Sequence, residues 1–114
     1  MLISGDVAEL DLGLPSGREA GFRHPVVVVT AQRILDAGPN VVHVVPLTTT
    51  IRGFGSEIVV EPDDANGLKD VSAAQCQHVR AVSVGRVDAV RGNVGPIALS
   101  QIRDVLGLIL DIPS

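Results

Sequence analysis

The stretch FRHPVVVVTAQRILDAGPNVVHVVPLTTTIRG, residues Phe22–Gly53, contains two runs rich in β-branched residues. The runs are Val26–Val29 and Val41–Val45, and a short segment with polar and turn residues separates them. Valine is stiff at χ1 and fits a pleated backbone better than a helix. Because neither run alternates cleanly between apolar and polar residues, the pattern predicts two strands buried on both faces, at the centre of a small sheet or barrel.

Polar side chains flank both runs. Arg23 and His24 precede the first run, and Thr48–Thr50 and Arg52 follow the second. If the two strands are neighbours, these polar clusters meet at one rim of the sheet. This rim is therefore the candidate functional site.

The composition favours one compact domain, residues 1–114, with a modest aliphatic core, because 46% of the 114 residues are hydrophobic and only Phe22 and Phe54 are aromatic. No apolar run approaches the ~20 residues that span a bilayer, and the N-terminus lacks the pattern of a secretory signal. The single Cys76 excludes an internal disulfide, so we expect a cytoplasmic protein without membrane contact. A net charge of −4 argues mildly against nucleic-acid binding unless arginines cluster locally.

The remaining sequence predicts further short strands and a terminal helix. In chain order the predicted elements are a half-exposed strand Leu2–Leu12, a loop Gly13–Gly21, a strand Pro25–Thr30, a short helix Ala31–Ala37, strands Asn40–Thr48 and Ser56–Glu61, a fifth strand, continuous or broken, over Val71–Val82, and a sixth strand Val87–Gly92.

An amphipathic helix is predicted from about Pro96, as its first residue, to Leu110, with Arg103 and Asp104 facing water. Its apolar stripe recurs at i, i+3, i+7 and i+10 and consists of Leu99, Ile102, Leu106 and Ile109. Five or six short strands and this helix predict a mostly β fold, a compact antiparallel barrel with helices packed outside.

Thr48 and Thr50 have the same parity on the predicted strand and project to one side. Threonine suits a strand end by β propensity alone. A hydroxyl at a strand terminus also hydrogen-bonds a phosphate oxygen well. Both interpretations remain open from the residues themselves.

Arg23 and His24 stand directly before Pro25, which favours an extended backbone, so their side chains should point in opposite directions. They form either a solvated pair at the end of a loop or a functional pair. In the functional case a cation stands beside an imidazole that titrates near neutrality, which suits acid–base work on phosphate esters.

His43 is expected to be a satisfied histidine of the sheet. Cys76 and His78 are separated by one residue, and His43 would be needed to complete a metal site with them. No second cysteine pair and no carboxylate at ligand spacing supports such a site, so no metal and no cofactor are expected.

Seven segments in a characteristic order give the chain a resemblance to a known family. They are GDVAELDL from Gly5, PSGREAG at Pro15–Gly21, HPVVVV at His24–Val29, VVPLTT at Val44–Thr49, GLKDVS at Gly67–Ser72, Val79-Arg80, and LGLILDI near the end. The chain resembles the MazF/PemK family of toxin endoribonucleases over nearly its whole length.

The resemblance implies an SH3-like barrel of the CcdB/PemK type with a C-terminal helix and a short connecting helix. It implies a homodimer with a groove for single-stranded RNA, and a cognate antitoxin peptide that occupies the same groove. It also implies metal-independent, sequence-specific cleavage, in which the 2′-hydroxyl attacks phosphorus and leaves a 2′,3′-cyclic phosphate and a 5′-hydroxyl.

The family relies on an Arg before the proline of the second strand and on a Thr after the third strand. The Thr position matches Thr48, whereas the Arg position carries His24, with Arg23 one place earlier. By the resemblance, the catalytic candidates are these three residues. The RNA-binding candidates around the groove are Ser16, Arg18, Phe22, Thr49, Thr50 and Arg52.

A second departure is Ala8, where many relatives have an aromatic residue, so stacking of bases is limited to Phe22 and Phe54. The two departures keep open a catalytically weak member that still binds RNA or antitoxin. A gyrase poison of the CcdB type is less well supported, because those relatives end in a Trp-bearing tail and this chain ends LDIPS. An SH3-like interaction module without toxicity is the remaining alternative.

Overall fold

A computed structural model describes residues 1–11 and 23–113 of the chain. The described elements are β1 (Asp6–Asp11), β2 (Arg23–Val28), α1 (Gln32–Asp36), β3 (Val41–Thr48), β4 (Glu57–Val60), β5 (Ser72–Gln75), a 3-10 helix (Cys76–His78), β6 (Arg80–Ser83), a second 3-10 helix (Val84–Arg86), β7 (Val87–Asn93) and α2 (Gly95–Ile109). The predicted loop Gly13–Gly21 lies outside the described residues.

Strand β3 is the centre of an antiparallel sheet. One of its edges pairs with β2, which continues to β1 and β7. Its other edge pairs with β6 along the first half of the strand and with β5 along the second half, and β5 continues to β4. The segment Ser72–Ser83 therefore runs beside β3 as one strand that the Cys76–His78 helix interrupts. Of the two alternatives for the predicted fifth strand, continuous or broken, the structure has the broken one.

The order β6-β3-β2-β1-β7 requires the sheet to roll up. Only the three residues Val84–Arg86 connect β6 to β7, although these strands stand at opposite ends of that order. In a flat sheet the two strands would be about 19 Å apart, at ~4.8 Å per spacing. Three linking residues reach about 14 Å when fully extended and much less as a 3-10 helix. The sheet therefore curls into the small barrel that the sequence predicts.

Alternate side chains of β2 enter two separate cores. Val26 and Val28 belong to the core inside the rolled sheet, whereas Val27 and Val29, the residue that follows β2, belong to the core between the sheet and α2. This explains the uninterrupted valine run, since both faces of β2 are covered. Burying each such side chain contributes about 1.5–3 kcal/mol.

Two predictions of burial are wrong in part. Val7 and Ala8 of β1 are both fully buried, because β1 lies between β2 and β7 and has cores on both faces. Val41 and His43 are exposed, so the first half of β3 has one exposed face. The reason is that α2 packs on β4 and on the Cys76–His78 helix. The β3 residues that share a core with Leu99 and Ile102 of α2 are Val45 and Leu47, in the later part of the strand.

The terminal helix is confirmed with a different start and a shorter buried stripe. It begins at Gly95, so Pro96 is its second residue. Leu99 and Ile102 are buried, whereas Ile109 is 43% exposed. Arg103 and Asp104 are exposed, as predicted. The Arg103 guanidinium also donates hydrogen bonds to the Ser4 hydroxyl at 2.6 Å and to the Val29 carbonyl at 3.3 Å. Among the described residues, no helix is long and apolar enough to cross a membrane.

Candidate active site at the barrel mouth

The register of β2 and β3 brings the two polar clusters of the sequence together. Val26 pairs with Pro46, and His24 and Thr48 lie two residues further toward the same rim, on the face of these two residues by strand alternation. Residues opposite each other on antiparallel strands project to the same face. The start of β2 and the end of β3 therefore form one rim, as the sequence predicts for neighbouring strands.

A cleft of about 410 Å³ opens into the barrel at this rim. Its apolar floor comes from the inner core, and polar side chains stand around its mouth. The lining residues are Leu10, His24, Val26, Val44, Pro46, Gln75, His78 and Arg80. This end of the barrel is called the mouth below.

His24 stands on one wall of the mouth. It is half-buried on β2 and pairs with Leu10 of β1. The neighbouring Arg23 does not line the cleft, because its guanidinium forms an ion pair with Asp88 of β7. Strand alternation thus directs the imidazole into the cleft and the guanidinium to an exposed ion pair.

The opposite wall carries His78 and Arg80, on the other edge of β3. Arg80 begins β6 and pairs with Val44, and His78 is the last residue of the Cys76–His78 helix. Neither residue was among the predicted site residues, and Gln75 beside them was also missed. Their spacing in the sequence could have identified them. His78 and Arg80 are two residues apart, and residues two apart on a strand project to the same face.

The base of the short helix is fixed in the core. The Cys76 amide donates to the Ser56 carbonyl at 3.1 Å, and its thiol lies 3.7 Å from the Ala74 carbonyl oxygen and 4.0 Å from that of Ile102. Burial raises the pKa of the Cys76 thiol to about 11, so the thiol stays protonated at neutral pH.

Cys76, His43 and His78 do not form a shared site. Cys76 is in the core under α2, His43 is exposed on β3, and His78 is in the cleft. In residues 1–11 and 23–113, no group of three or more His, Cys, Asp or Glu side chains is placed to hold a metal ion.

Two acceptors shape the loop that follows β3. The Thr48 hydroxyl accepts a hydrogen bond from the Thr50 amide at 3.0 Å. The buried carboxylate of Glu57 accepts from the Arg52 amide at 3.1 Å and from the Gly53 amide at 2.9 Å. Thr48 keeps its O–H free to donate to a ligand, since only a lone pair of the oxygen is used in this bond.

The other predicted RNA contacts are distributed around the same rim or fall outside the described structure. Thr49, Thr50 and Arg52 are exposed in the loop after β3. Ser16, Arg18 and Phe22 lie outside the described residues. Phe54, the second aromatic residue, is also exposed in the loop after β3.

The chemistry of the mouth suits an anionic ligand. Two imidazoles, one guanidinium and one amide line it, and none of the described carboxylates does. Arginine and histidine bind phosphate oxygens with charge-assisted hydrogen bonds, and the apolar floor lowers the local dielectric constant and strengthens them.

Comparisons with known proteins agree with this architecture. Residues 3–110 match the model of a protein family described as the PemK-like, MazF-like toxins of type II toxin-antitoxin systems. The chain is 29% identical over 116 residues to Endoribonuclease MazF9 of Mycobacterium tuberculosis (strain ATCC 25618 / H37Rv), and the match covers 98% of each chain.

Solved structures show the same fold. An endoribonuclease in complex with its cognate antitoxin, from a mycobacterial species, superposes with a TM-score of 0.79 at 21% identity over 100% of this chain and 99% of that chain. Toxin MazF-mt6 of Mycobacterium tuberculosis superposes with a TM-score of 0.76 at 21% identity, over 96% and 99% of the two chains. The match over residues 3–110 and the shared fold establish that this chain belongs to the family of PemK-like, MazF-like toxins of type II toxin-antitoxin systems.

Proposed function

We propose that the protein is a cytoplasmic toxin endoribonuclease that cleaves single-stranded RNA at specific sequences without a metal ion. The observation that carries the proposal is the mouth of the barrel, where His24 lines the cleft and Thr48 ends the strand whose Pro46 lines the same cleft. Membership of the toxin family and the similarity to a MazF endoribonuclease support the same reaction.

The proposed reaction is an internal transesterification. The 2′-oxygen of the substrate forms a bond to the adjacent phosphorus, and the bond from phosphorus to the 5′-oxygen breaks. His24 accepts the proton of the 2′-hydroxyl, and the Thr48 hydroxyl donates a hydrogen bond to a non-bridging phosphate oxygen. The 5′-oxygen takes up a proton as it leaves, and His24 later releases the proton that it accepted to the solvent. The products are therefore a 2′,3′-cyclic phosphate and a 5′-hydroxyl, with no net gain or loss of atoms.

The choice between His24 and Arg23 as the group that replaces the family arginine falls on His24. Arg23 is engaged by Asp88, whereas His24 lines the cleft. We assign RNA binding rather than chemistry to Arg52, Thr49 and Thr50, which are exposed beside the mouth. Ser16, Arg18 and Phe22 are proposed as further RNA contacts on the grounds of the family resemblance.

Two further partners belong to the proposal. Structures of relatives have been solved in complex with an antitoxin, including MazE-MazF of Deinococcus radiodurans at a TM-score of 0.76, which supports a cognate antitoxin peptide for this chain.

We also propose a homodimer, because large apolar side chains such as Ile97 and Leu108 are more than three-quarters exposed on α2. Sedimentation equilibrium at micromolar concentration tests this, and a species of only 11.9 kDa would contradict it.

The reaction is tested with purified protein, a defined mixture of single-stranded RNAs, and EDTA in the buffer. We expect cleavage at a limited set of sequences and fragments that carry 2′,3′-cyclic phosphate and 5′-hydroxyl ends. Protein that binds RNA or antitoxin without cleaving would instead identify the catalytically weak alternative.

Thr48→Ala tests the phosphate contact in the same assay. We expect about a hundredfold loss of single-turnover rate, as for removal of one transition-state donor, and a change in unfolding free energy within roughly 1 kcal/mol. Ser100→Ala is the matched control, because it removes an exposed hydroxyl from α2, away from the mouth. An unchanged rate in folded Thr48→Ala would refute the role of this hydroxyl.

A further inference from the structure

We propose that His78 is a second catalytic residue, the general acid that protonates the leaving 5′-oxygen while His24 acts as the base. The proposal rests on the proposed ribonuclease function and extends it to a residue that lies outside the matched catalytic positions. The mouth of this barrel would then work with two imidazoles, one on each wall.

The position of the two histidines fits an in-line displacement. β2, which carries His24, pairs with one edge of β3, whereas β5 and β6, which flank His78, pair with the other edge. Val44 and Pro46 of β3 form the floor between them. The attacking and leaving oxygens lie on opposite sides of phosphorus, so an acid and a base on opposite walls can each reach one of them.

Protons and bonds balance in this scheme. Neutral His24 takes the proton of the 2′-hydroxyl as the bond from the 2′-oxygen to phosphorus forms. Protonated His78 gives a proton to the 5′-oxygen as the bond from phosphorus to that oxygen breaks. One proton enters the protein and one leaves it, and exchange with water restores both histidines for the next turnover.

Rigid attachment supports a catalytic role for His78. Its short helix is held by the buried Cys76, whose amide and thiol have backbone carbonyl partners from β5, α2 and the residue before β4. The imidazole itself is exposed to the cleft, so a ligand can reach it. Arg80 stands two residues further along the same wall and can stabilise the charge that develops on the non-bridging oxygens.

The charged groups near the mouth define its expected pH dependence. His24, His78 and Arg80 line the cleft, and the Arg23–Asp88 ion pair lies beside it. On β1, Asp11 is opposite Arg23, and its carbonyl accepts a hydrogen bond from the Arg86 guanidinium at 3.4 Å. Since a base must be neutral and an acid protonated, the rate should rise with pH, pass through a maximum and fall again.

The test is single-turnover cleavage against pH, with two RNA substrates that share one cleavable sequence. One substrate is ordinary RNA. The other carries sulfur in place of the 5′-oxygen at the scissile bond, so its leaving thiolate needs no proton. The proteins are wild type, His78→Ala, His78→Gln and His43→Ala, the last a matched loss of an exposed histidine on β3.

We expect both His78 variants to lose at least a hundredfold on ordinary RNA and to lose the decline of the rate at high pH, while cleaving the sulfur substrate within a few-fold of wild type. His43→Ala should match wild type on both substrates. Full activity of the His78 variants on ordinary RNA, or an equal loss on both substrates, would overturn the general-acid role. A wild-type protein that cleaves neither substrate would overturn the proposed function itself and this role with it.

Discussion

The two ends of the barrel contain clefts of almost equal size and different chemistry. The mouth encloses about 410 Å³ and carries two histidines, an arginine and a glutamine. The opposite end encloses about 420 Å³ and has no charged side chain among its lining residues. Those residues are Met1, Leu2, Leu35, Gly38, Pro39, Asn40, Val42 and Val84.

The difference in lining follows from which elements form each end. At the opposite end, α1 places Leu35 against the inner core, and the strand residue that lines the cleft is Val42. At the mouth, the same strand continues to Pro46 and Thr48, and neither α1 nor α2 contributes a residue to the lining. Cavity volume therefore does not identify the site, whereas the polar groups that converge at the strand ends do.

The largest expected effect is at the mouth. His24→Ala should lower the single-turnover rate on RNA by about a thousandfold, in the range typical of removing a general base or acid. Because His24 is only half-buried, the domain should remain folded. Circular dichroism and a pH–rate profile check both expectations, and the profile of the variant should lose the decline of the rate at low pH. Full activity in His24→Ala would move the assignment to Arg23.

At the opposite end of the barrel, Leu35→Ala should lower stability and leave catalysis intact. Leu35 is 4% exposed in the inner core, and truncating such a side chain costs about 2–4 kcal/mol. Urea unfolding measures the loss, and Ile34→Ala, which truncates the exposed neighbour, should cost much less. A large fall in the cleavage rate of folded Leu35→Ala would show that the two ends are coupled.

Cys76, in the short helix that also contains His78, should make the free energy of unfolding depend on pH in the alkaline range. Because burial raises the pKa of the Cys76 thiol to about 11, the unfolded chain releases this proton at a lower pH than the folded protein does. The free energy of unfolding should therefore fall by roughly 2–3 kcal/mol as the pH rises from about 9 to 11.

Urea unfolding across this pH range measures that fall. The chain has no tyrosine and a single lysine, Lys69, so few other groups titrate there. Cys76→Ala is the matched variant, and it should be less stable at neutral pH but nearly independent of pH from 9 to 11. An equally steep fall in this variant would assign the effect to another group.

The smallest effect is expected beside the mouth. Arg23→Ala breaks an exposed ion pair with Asp88, so stability should change by less than about 1 kcal/mol. Cleavage should weaken only a few-fold, through the apparent affinity for RNA and not through the maximal rate. Arg33→Ala on α1 is the control for loss of one exposed positive charge. A loss as large as that of His24→Ala would reverse the assignment of the two residues.

Local sequence was sufficient for the elements that periodicity and turn chemistry control. Two valine runs predicted β2 and β3, Gly38-Pro39 ended α1, and the i, i+3 stripe predicted α2. The number of short strands predicted a compact antiparallel barrel. The family resemblance added its SH3-like type and the match of Thr48 to a family position. The exposure of Val41 and His43 was not predictable, because it depends on how far α2 extends over the sheet.

The sequence by itself determined that polar groups stand at the start of β2 and at the end of β3, because both positions are adjacent to valine runs along the chain. Only the tertiary structure decided that His78 and Arg80 share a cleft with His24, more than 50 residues away in the sequence. The physical reason is strand register: hydrogen-bond pairing on both edges of β3 fixes which distant residues face each other, and no local pattern encodes that pairing.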